Sequence, residues 1–297
     1  MMKHWMEAFR LRTLPLSLAC IGMGSFLAAA EGRFQWSLFG LACLTTIFLQ
    51  VLSNLANDYG DSIHGADHAE RLGPKRAVQS GNISSDAMRR AVVLFAGASF
   101  LSGCLLLYMA FGFNWQLLGF FLGLGVLSIL AAVGYTVGKK PYGYLGLGDL
   151  SVFLFFGLVG VMGTYFLFTR EFNAGMIWPA MSCGFFSIAV LNINNIRDME
   201  SDRQAGKFSI PVRVGKRWAV RYHIFLLAAG LLSAIVYTFG HYSSSWQFIF
   251  LAITPLLVVN GRAAANYPPQ RLDPYLRQMA LTTLLFVVLF GGAQLLF

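Results

Sequence analysis

Apolar residues in this chain come in long uninterrupted runs. Those long enough to cross about 30 Å of hydrocarbon fall near 14–30, 36–56, 91–113, 115–137, 150–168, 174–196, 222–240, 246–261 and 279–297. The pattern predicts nine membrane-crossing helices and no soluble core. The eighth run is the shortest and contains Pro255, which predicts a tilted or broken helix there. The first run opens after Arg10 and Arg12 and flows into further spans. It therefore reads as a retained helix, not a cleaved signal.

Composition agrees: 57% of residues are hydrophobic and 12% charged, against about 25% charged in a soluble domain. Of 22 Lys and Arg, only Arg33 and Arg170 fall in the odd-numbered connections. Basic residues favour the cytoplasmic side, so the N-terminus and the even connections are expected there and the C-terminus outside. The formal charge of +9 is what basic flanks of membrane spans produce, so nucleic acid is not an expected partner and the lipid bilayer is. Cys20, Cys43, Cys104 and Cys183 lie inside apolar runs without paired spacing, which suggests core thiols and neither a zinc site nor a disulfide framework.

Carboxylates carry the chemical signal. Asp58, Asp61, Asp67, Glu70, Asp149, Asp198, Glu200 and Asp202 all fall on the expected cytoplasmic side, which topology does not require because acids contribute little to orientation. Two patches share one template, Asn57-x3-Asp61-x3-Gly65 and, 141 positions later, Asp198-x3-Asp202-x3-Gly206. Residues four apart on a helix share a face, so each patch offers two oxygen-bearing side chains to one target. Asn54, Asn57, Asn192, Asn194 and Asn195 adjoin them, and asparagine in an apolar helix is costly without a partner. Such oxygens suit a hard cation such as magnesium, whose shell substrate phosphates commonly complete. Arg71, Lys75 and Arg76 follow the first patch, Lys139 and Lys140 occupy the next even connection, and Lys207 and Arg213 follow the second patch. Together with the acids they describe a magnesium-diphosphate pocket. The five histidines lack metal-ligand spacing, and the glycines from Gly134 to Gly148 lack a phosphate-loop context, so they read as a tight interhelical turn.

At these patches the chain resembles the UbiA superfamily of intramembrane prenyltransferases, and within it the 1,4-dihydroxy-2-naphthoate polyprenyltransferase branch. The likeness is carried by the stretches 49–61, Arg-Leu-Gly-Pro-Lys-Arg at 71–76, 135–149 and Leu-Asn-Ile-Asn-Asn-Ile-Arg-Asp at 191–198. It implies one integral membrane domain over 1–297, an all-α polytopic bundle of about nine transmembrane helices in two pseudo-repeated four-helix halves (about 10–140 and 149–270) plus one. It implies Mg2+, two ions, held by Asn57, Asp61, Asp198 and Asp202. Arg71, Lys139, Lys140 and Arg213 would bind the leaving diphosphate, with Asn54, Asn194, Asn195 and Lys207 in the same substrate-binding set. Asp58 or Asp67 is the candidate for orienting or deprotonating the acceptor hydroxyl, with Tyr135 near the diphosphate. The implied partners are a polyprenyl diphosphate and 1,4-dihydroxy-2-naphthoate, and the implied setting is a bacterial cytoplasmic (inner) membrane. A sister enzyme using another aromatic acceptor such as 4-hydroxybenzoate or homogentisate stays open, as does a secondary transporter, which would place ionisable groups near the bilayer midplane.

Overall fold

In the computed structural model, residues 2–64 and 76–297 are described. Among them nine helices are long and apolar enough to cross a bilayer: Met2–Ala30, Trp36–Ile63, Ser85–Phe111, Trp115–Gly134, Gly148–Thr169, Ala174–Arg197, Lys216–Gly240, Ser245–Asn266 and Asp273–Leu296. They are called the first to ninth spans below. The described residues contain no strand, so the chain is an all-helical, multi-pass membrane protein. A backbone in hydrocarbon must satisfy its own hydrogen bonds, and helices do so within the segment.

Polar residues mark where spans start. Ser84 accepts from the Ala87 amide, Asn114 from the Leu117 amide, and Ser244 forms a capping box with Gln247. Each fills an orphan donor at a helix entrance. The eighth span is composite: a 3-10 stretch over Ser245–Ile253 tightens before an α-helix over Thr254–Asn266 with Pro255 in its first turn. Proline is tolerated there because its missing N–H would have had no partner. The fifth span is also irregular, with a π-helical stretch over Phe153–Gly163.

The largest buried core lies between the first, fifth, sixth, seventh, eighth and ninth spans, around Met23, Phe186, Phe250, Phe286 and Phe290. Close backbone approach builds it. A Cβ on Gly157 would stand 2.8 Å from the Ala180 carbonyl oxygen, and one on Gly184 would stand 2.8 Å from the Phe153 ring. Both are sub-van-der-Waals, so only glycine lets the fifth and sixth spans meet this closely. A smaller core ties the second span to the third around Leu52, Leu55 and Met88. The fourth span, by contrast, buries none of its residues and covers the bundle from outside. The second, fourth and sixth spans end at the same pole of the bundle, where the connections meet.

Candidate active site

The second span continues as helix to Ile63, so Asn54, Asn57, Asp58 and Asp61 occupy its last turns. The sixth span's helix stops at Arg197 and a short helix resumes at Met199, with Asp198 at the junction. An Asp202 amide to Asp198 carbonyl bond of 2.8 Å keeps that turn helical in spacing, so Asp198 and Asp202 stay on one side. Asp61, Asp198 and Asp202 are each less than 10% exposed: 4%, 3% and 7%. Each has a cation. The Arg76 guanidinium stands 2.6 Å from Asp61, Arg197 2.8 Å from Asp198, and Lys207 3.4 Å from Asp202.

The turn over residues 135–147 joins the two patches. On one side the Tyr144 hydroxyl donates to Asp61 at 3.0 Å, and the Thr136 hydroxyl donates to the Ala56 carbonyl at 2.9 Å and the Asn57 Oδ1 at 3.2 Å. Gly60 has no room for a Cβ, which would lie 2.5 Å from the Thr136 carbonyl oxygen. On the other side the Phe208 amide donates to the Tyr144 carbonyl at 2.9 Å, and the Arg213 guanidinium to the Leu145 carbonyl at 2.8 Å. Gly138 and Gly146 supply the positive φ angles of 121° and 76° that the turn needs.

The electrostatics show convergence. Burial raises the proton affinity of Asp202 above the usual carboxylate range; the Lys207 ammonium opposes this, while the charges of Asp198 and Asp61 add to it. Burial alone would lower that of Lys207, yet Asp202, then Tyr135, Asp61 and Asp198 overcome it and hold the ammonium charged. The Tyr135 phenol is pushed up to about 12, first by burial, with Lys207 opposing and Asp202, Asp61 and Asp149 adding. One small volume therefore feels carboxylates from both patches.

The predicted residues do not all face that volume. Asn54 donates to the Phe9 carbonyl at 2.9 Å and the Thr13 hydroxyl at 3.0 Å. It ties the first span at Phe9 and Thr13 to the second span, a tether where a substrate contact was expected, because its amide protons are already used. Asp58 accepts from the backbone amides of Ala77 at 3.0 Å and Val78 at 3.3 Å, so both oxygens fix the entry to the third span. Asn194 accepts from Arg197 at 2.8 Å. Asn195 is 3% exposed, and its Oδ1 has no hydrogen-bond partner among the described residues. Arg213 spends its guanidinium on the Phe208 and Leu145 carbonyls, while Lys139 and Lys140 are exposed at the rim. Asp67 and Arg71, with Gly65 and Lys75, lie outside the described residues.

Sequence reading assigned no role to three residues at the site. Arg197 bridges Asp198 to Asp273 at 2.7 Å, Tyr144 meets Asp61, and Asp149 is buried beside Tyr135. A basic residue directly before an acid in an otherwise apolar helix was the available signal for Arg197.

The donor set fits a hard cation. Every side-chain acceptor at the convergence is oxygen, Asn195 Oδ1 is a buried acceptor awaiting a partner one turn before Asp198, and three carboxylates share one field. No three His, Cys, Asp or Glu among the described residues stand close enough to hold an ion by themselves. Oxygens from another molecule would have to complete the shell, as phosphates do for magnesium. Asp61 ends the second span and Asp202 lies beyond the sixth, so these acids are at helix ends and the transporter pattern of midplane charges is not what the chain shows.

The chain is 44% identical to a 1,4-dihydroxy-2-naphthoate octaprenyltransferase of Haemophilus influenzae, over 98% of this chain and 95% of that one. It is 43% identical to the protein of the same name in Escherichia coli, over 96% and 94%. Among solved structures it resembles the apo UbiA homolog of Aeropyrum pernix K1, with a TM-score of 0.70 at 19% identity covering 96% and 97% of the two chains. A UbiA homolog of Archaeoglobus fulgidus bound to GPP and Mg2+ gives 0.62 at 16% identity, covering 97% and 99%. The sequence profile of the UbiA prenyltransferase family matches residues 17–293, and this chain belongs to that family.

Proposed function

We infer that this protein transfers a polyprenyl group from a polyprenyl diphosphate to 1,4-dihydroxy-2-naphthoate with loss of carbon dioxide, giving a demethylmenaquinone skeleton for menaquinone synthesis. The observation that carries the site is the meeting of Asp61, Asp198 and Asp202 around Lys207 and Tyr135. The acceptor is assigned from the names of relatives at 43% and 44% identity over nearly the whole chain.

Asn57, Asp61, Asp198 and Asp202 would hold two magnesium ions, with Lys207 and the rim lysines Lys139 and Lys140 facing the diphosphate. Bound magnesium supplies charge neutralisation for the departing diphosphate. The chain's own contribution is preorganisation. Lys207 stays charged in a buried setting, and the Tyr135 phenol keeps its proton. The turn over residues 135–147 holds both patches in register. The apolar bundle inward of the site keeps water from the allylic carbon once the bond to oxygen weakens. The active pole faces the cytoplasm of a bacterial inner membrane, as the Lys and Arg asymmetry supports.

The test is purified protein in detergent or nanodiscs with Mg2+, prenyl diphosphates of several lengths and one aromatic acceptor at a time. The expected outcome is a prenylated naphthohydroquinone plus carbon dioxide from the naphthoate, loss of product on chelation and recovery on adding Mg2+. Product from 4-hydroxybenzoate and none from the naphthoate would move the chain to the sister activity.

A further inference from the structure

Five aspartates are buried among the described residues: Asp58, Asp61, Asp149, Asp198 and Asp202. Two backbone amides hold Asp58, and a cation pairs with each of Asp61, Asp198 and Asp202. Asp149 differs. It is 7% exposed, its Oδ2 accepts a hydrogen bond from the Tyr222 hydroxyl at 3.0 Å, and no basic side chain among the described residues pairs with it. A buried carboxylate without a cation is expensive, and a chain that keeps one beside a reaction site has a use for it.

Its position suggests the use. Asp149 is the second residue of the fifth span. A Cβ on its neighbour Gly148 would lie 3.0 Å from the Tyr135 hydroxyl and 3.3 Å from Leu191. Leu191 stands two turns, about 10 Å at 1.5 Å per residue, before Asp198 along the sixth span. Asp149 therefore sits inward of the carboxylates that face the diphosphate, on the side where the prenyl carbon and the aromatic ring must meet. Tyr135 is close enough to feel the charges of Asp149, Asp61 and Asp202.

We propose that Asp149 accepts the proton of the acceptor's ring hydroxyl during carbon-carbon bond formation and returns it afterwards, with Tyr222 positioning the carboxylate. This rests on the naphthoate prenyltransferase reading above. The O–H bond breaks toward Asp149, and its electron pair becomes a ring carbonyl. The ring carbon bearing the carboxylate then bonds the prenyl C1, and the C1–O bond breaks with its pair leaving on diphosphate. Carbon dioxide departs without the electrons of its C–C bond, which restore the aromatic ring as Asp149 gives the proton back to the ring oxygen. No oxidant enters, and the product is the hydroquinone.

The experiment compares wild type, Asp149→Asn and Tyr222→Phe of the full chain with Mg2+, prenyl diphosphate, 1,4-dihydroxy-2-naphthoate and a ring-fluorinated naphthoate whose hydroxyl is more acidic. Asp149→Asn should lower kcat at least about 100-fold and Tyr222→Phe about tenfold, with KM for prenyl diphosphate within about threefold of wild type. The fluorinated acceptor should narrow both gaps, because a more acidic hydroxyl needs less help, and a merely structural role would not produce that rescue. If Asp149→Asn does not survive gel filtration as a single species, the rescue of Tyr222→Phe decides. Wild-type kcat in Asp149→Asn, or deficits that the fluorinated acceptor leaves untouched, would overturn the proposal. Wild type inert with the naphthoate but active with another aromatic acceptor would instead overturn the acceptor assignment.

Discussion

In the first acidic patch, Asn57 and Asp61 ride one unbroken helix, and the cation for Asp61 comes from Arg76, fifteen positions on in the connection to the third span. In the second, Asp198 sits in a break between two helices, and its patch finds cations locally, in Arg197 next to it and Lys207 five positions past Asp202. One spacing is thus realised by two constructions. The first relies on tertiary contacts for its neutralisation, the second on its own sequence, and the turn over residues 135–147 holds them together. A shared template predicts which oxygens face the target but not which groups keep those oxygens in place.

The sharpest way to break the comparison is to remove one oxygen donor from each side. Asp61→Ala and Asp198→Ala should each lower transfer by roughly 10³-fold or more, about 4 kcal/mol of barrier, while membrane insertion and detergent extraction stay normal. If either kept a tenth of wild-type turnover, the patches would not act as one site. Next come the cations. Arg197→Ala and Arg76→Ala each remove the guanidinium that faces a buried carboxylate and should cost about 3 kcal/mol of stability, read as a lower melting temperature in detergent. Arg197→Ala should be the worse, since Arg197 also carries Asp273 and Asn194; the reverse order would mean that the first patch depends less on distant contacts than its geometry says. Third, Asp58→Asn should lose about 1 to 2 kcal/mol of stability through its weakened amide bonds with kcat within about threefold of wild type. A fall in kcat comparable to that of Asp61→Ala would return Asp58 to the reaction. The smallest effect belongs to the rim: Lys139→Ala should raise KM for prenyl diphosphate about threefold to tenfold at constant kcat, since an exposed lysine contributes little beyond attraction. An unchanged KM would leave the rim out of substrate binding.

Hydrophobic runs made the nine spans readable, because length and apolarity are all that a crossing needs. Pro255 announced the irregular eighth span, but nothing local announced the π-helical stretch of the fifth. The convergence of the patches was readable from their repeated spacing. The division of labour within them was not. Asn54 reads in the sequence as a substrate contact and Asp58 as a candidate base, yet the Asn54 amide protons go to the Phe9 carbonyl and the Thr13 hydroxyl, and the Asp58 oxygens to the Ala77 and Val78 amides. Arg213 looks like a phosphate grip and is a brace on two carbonyls. Which oxygen is spent on structure is settled by loops folding back, and that information is not local.

The glycine contacts between the fifth and sixth spans carry one more consequence. Where two backbones meet with no side chain between them, no gap as wide as a methyl-branched hydrocarbon chain exists. A long isoprenoid tail therefore cannot thread between these two helices at that depth and must travel round them. The seam acts as a wall that helps set the route by which a greasy substrate enters and its quinone product drifts out into the surrounding lipid.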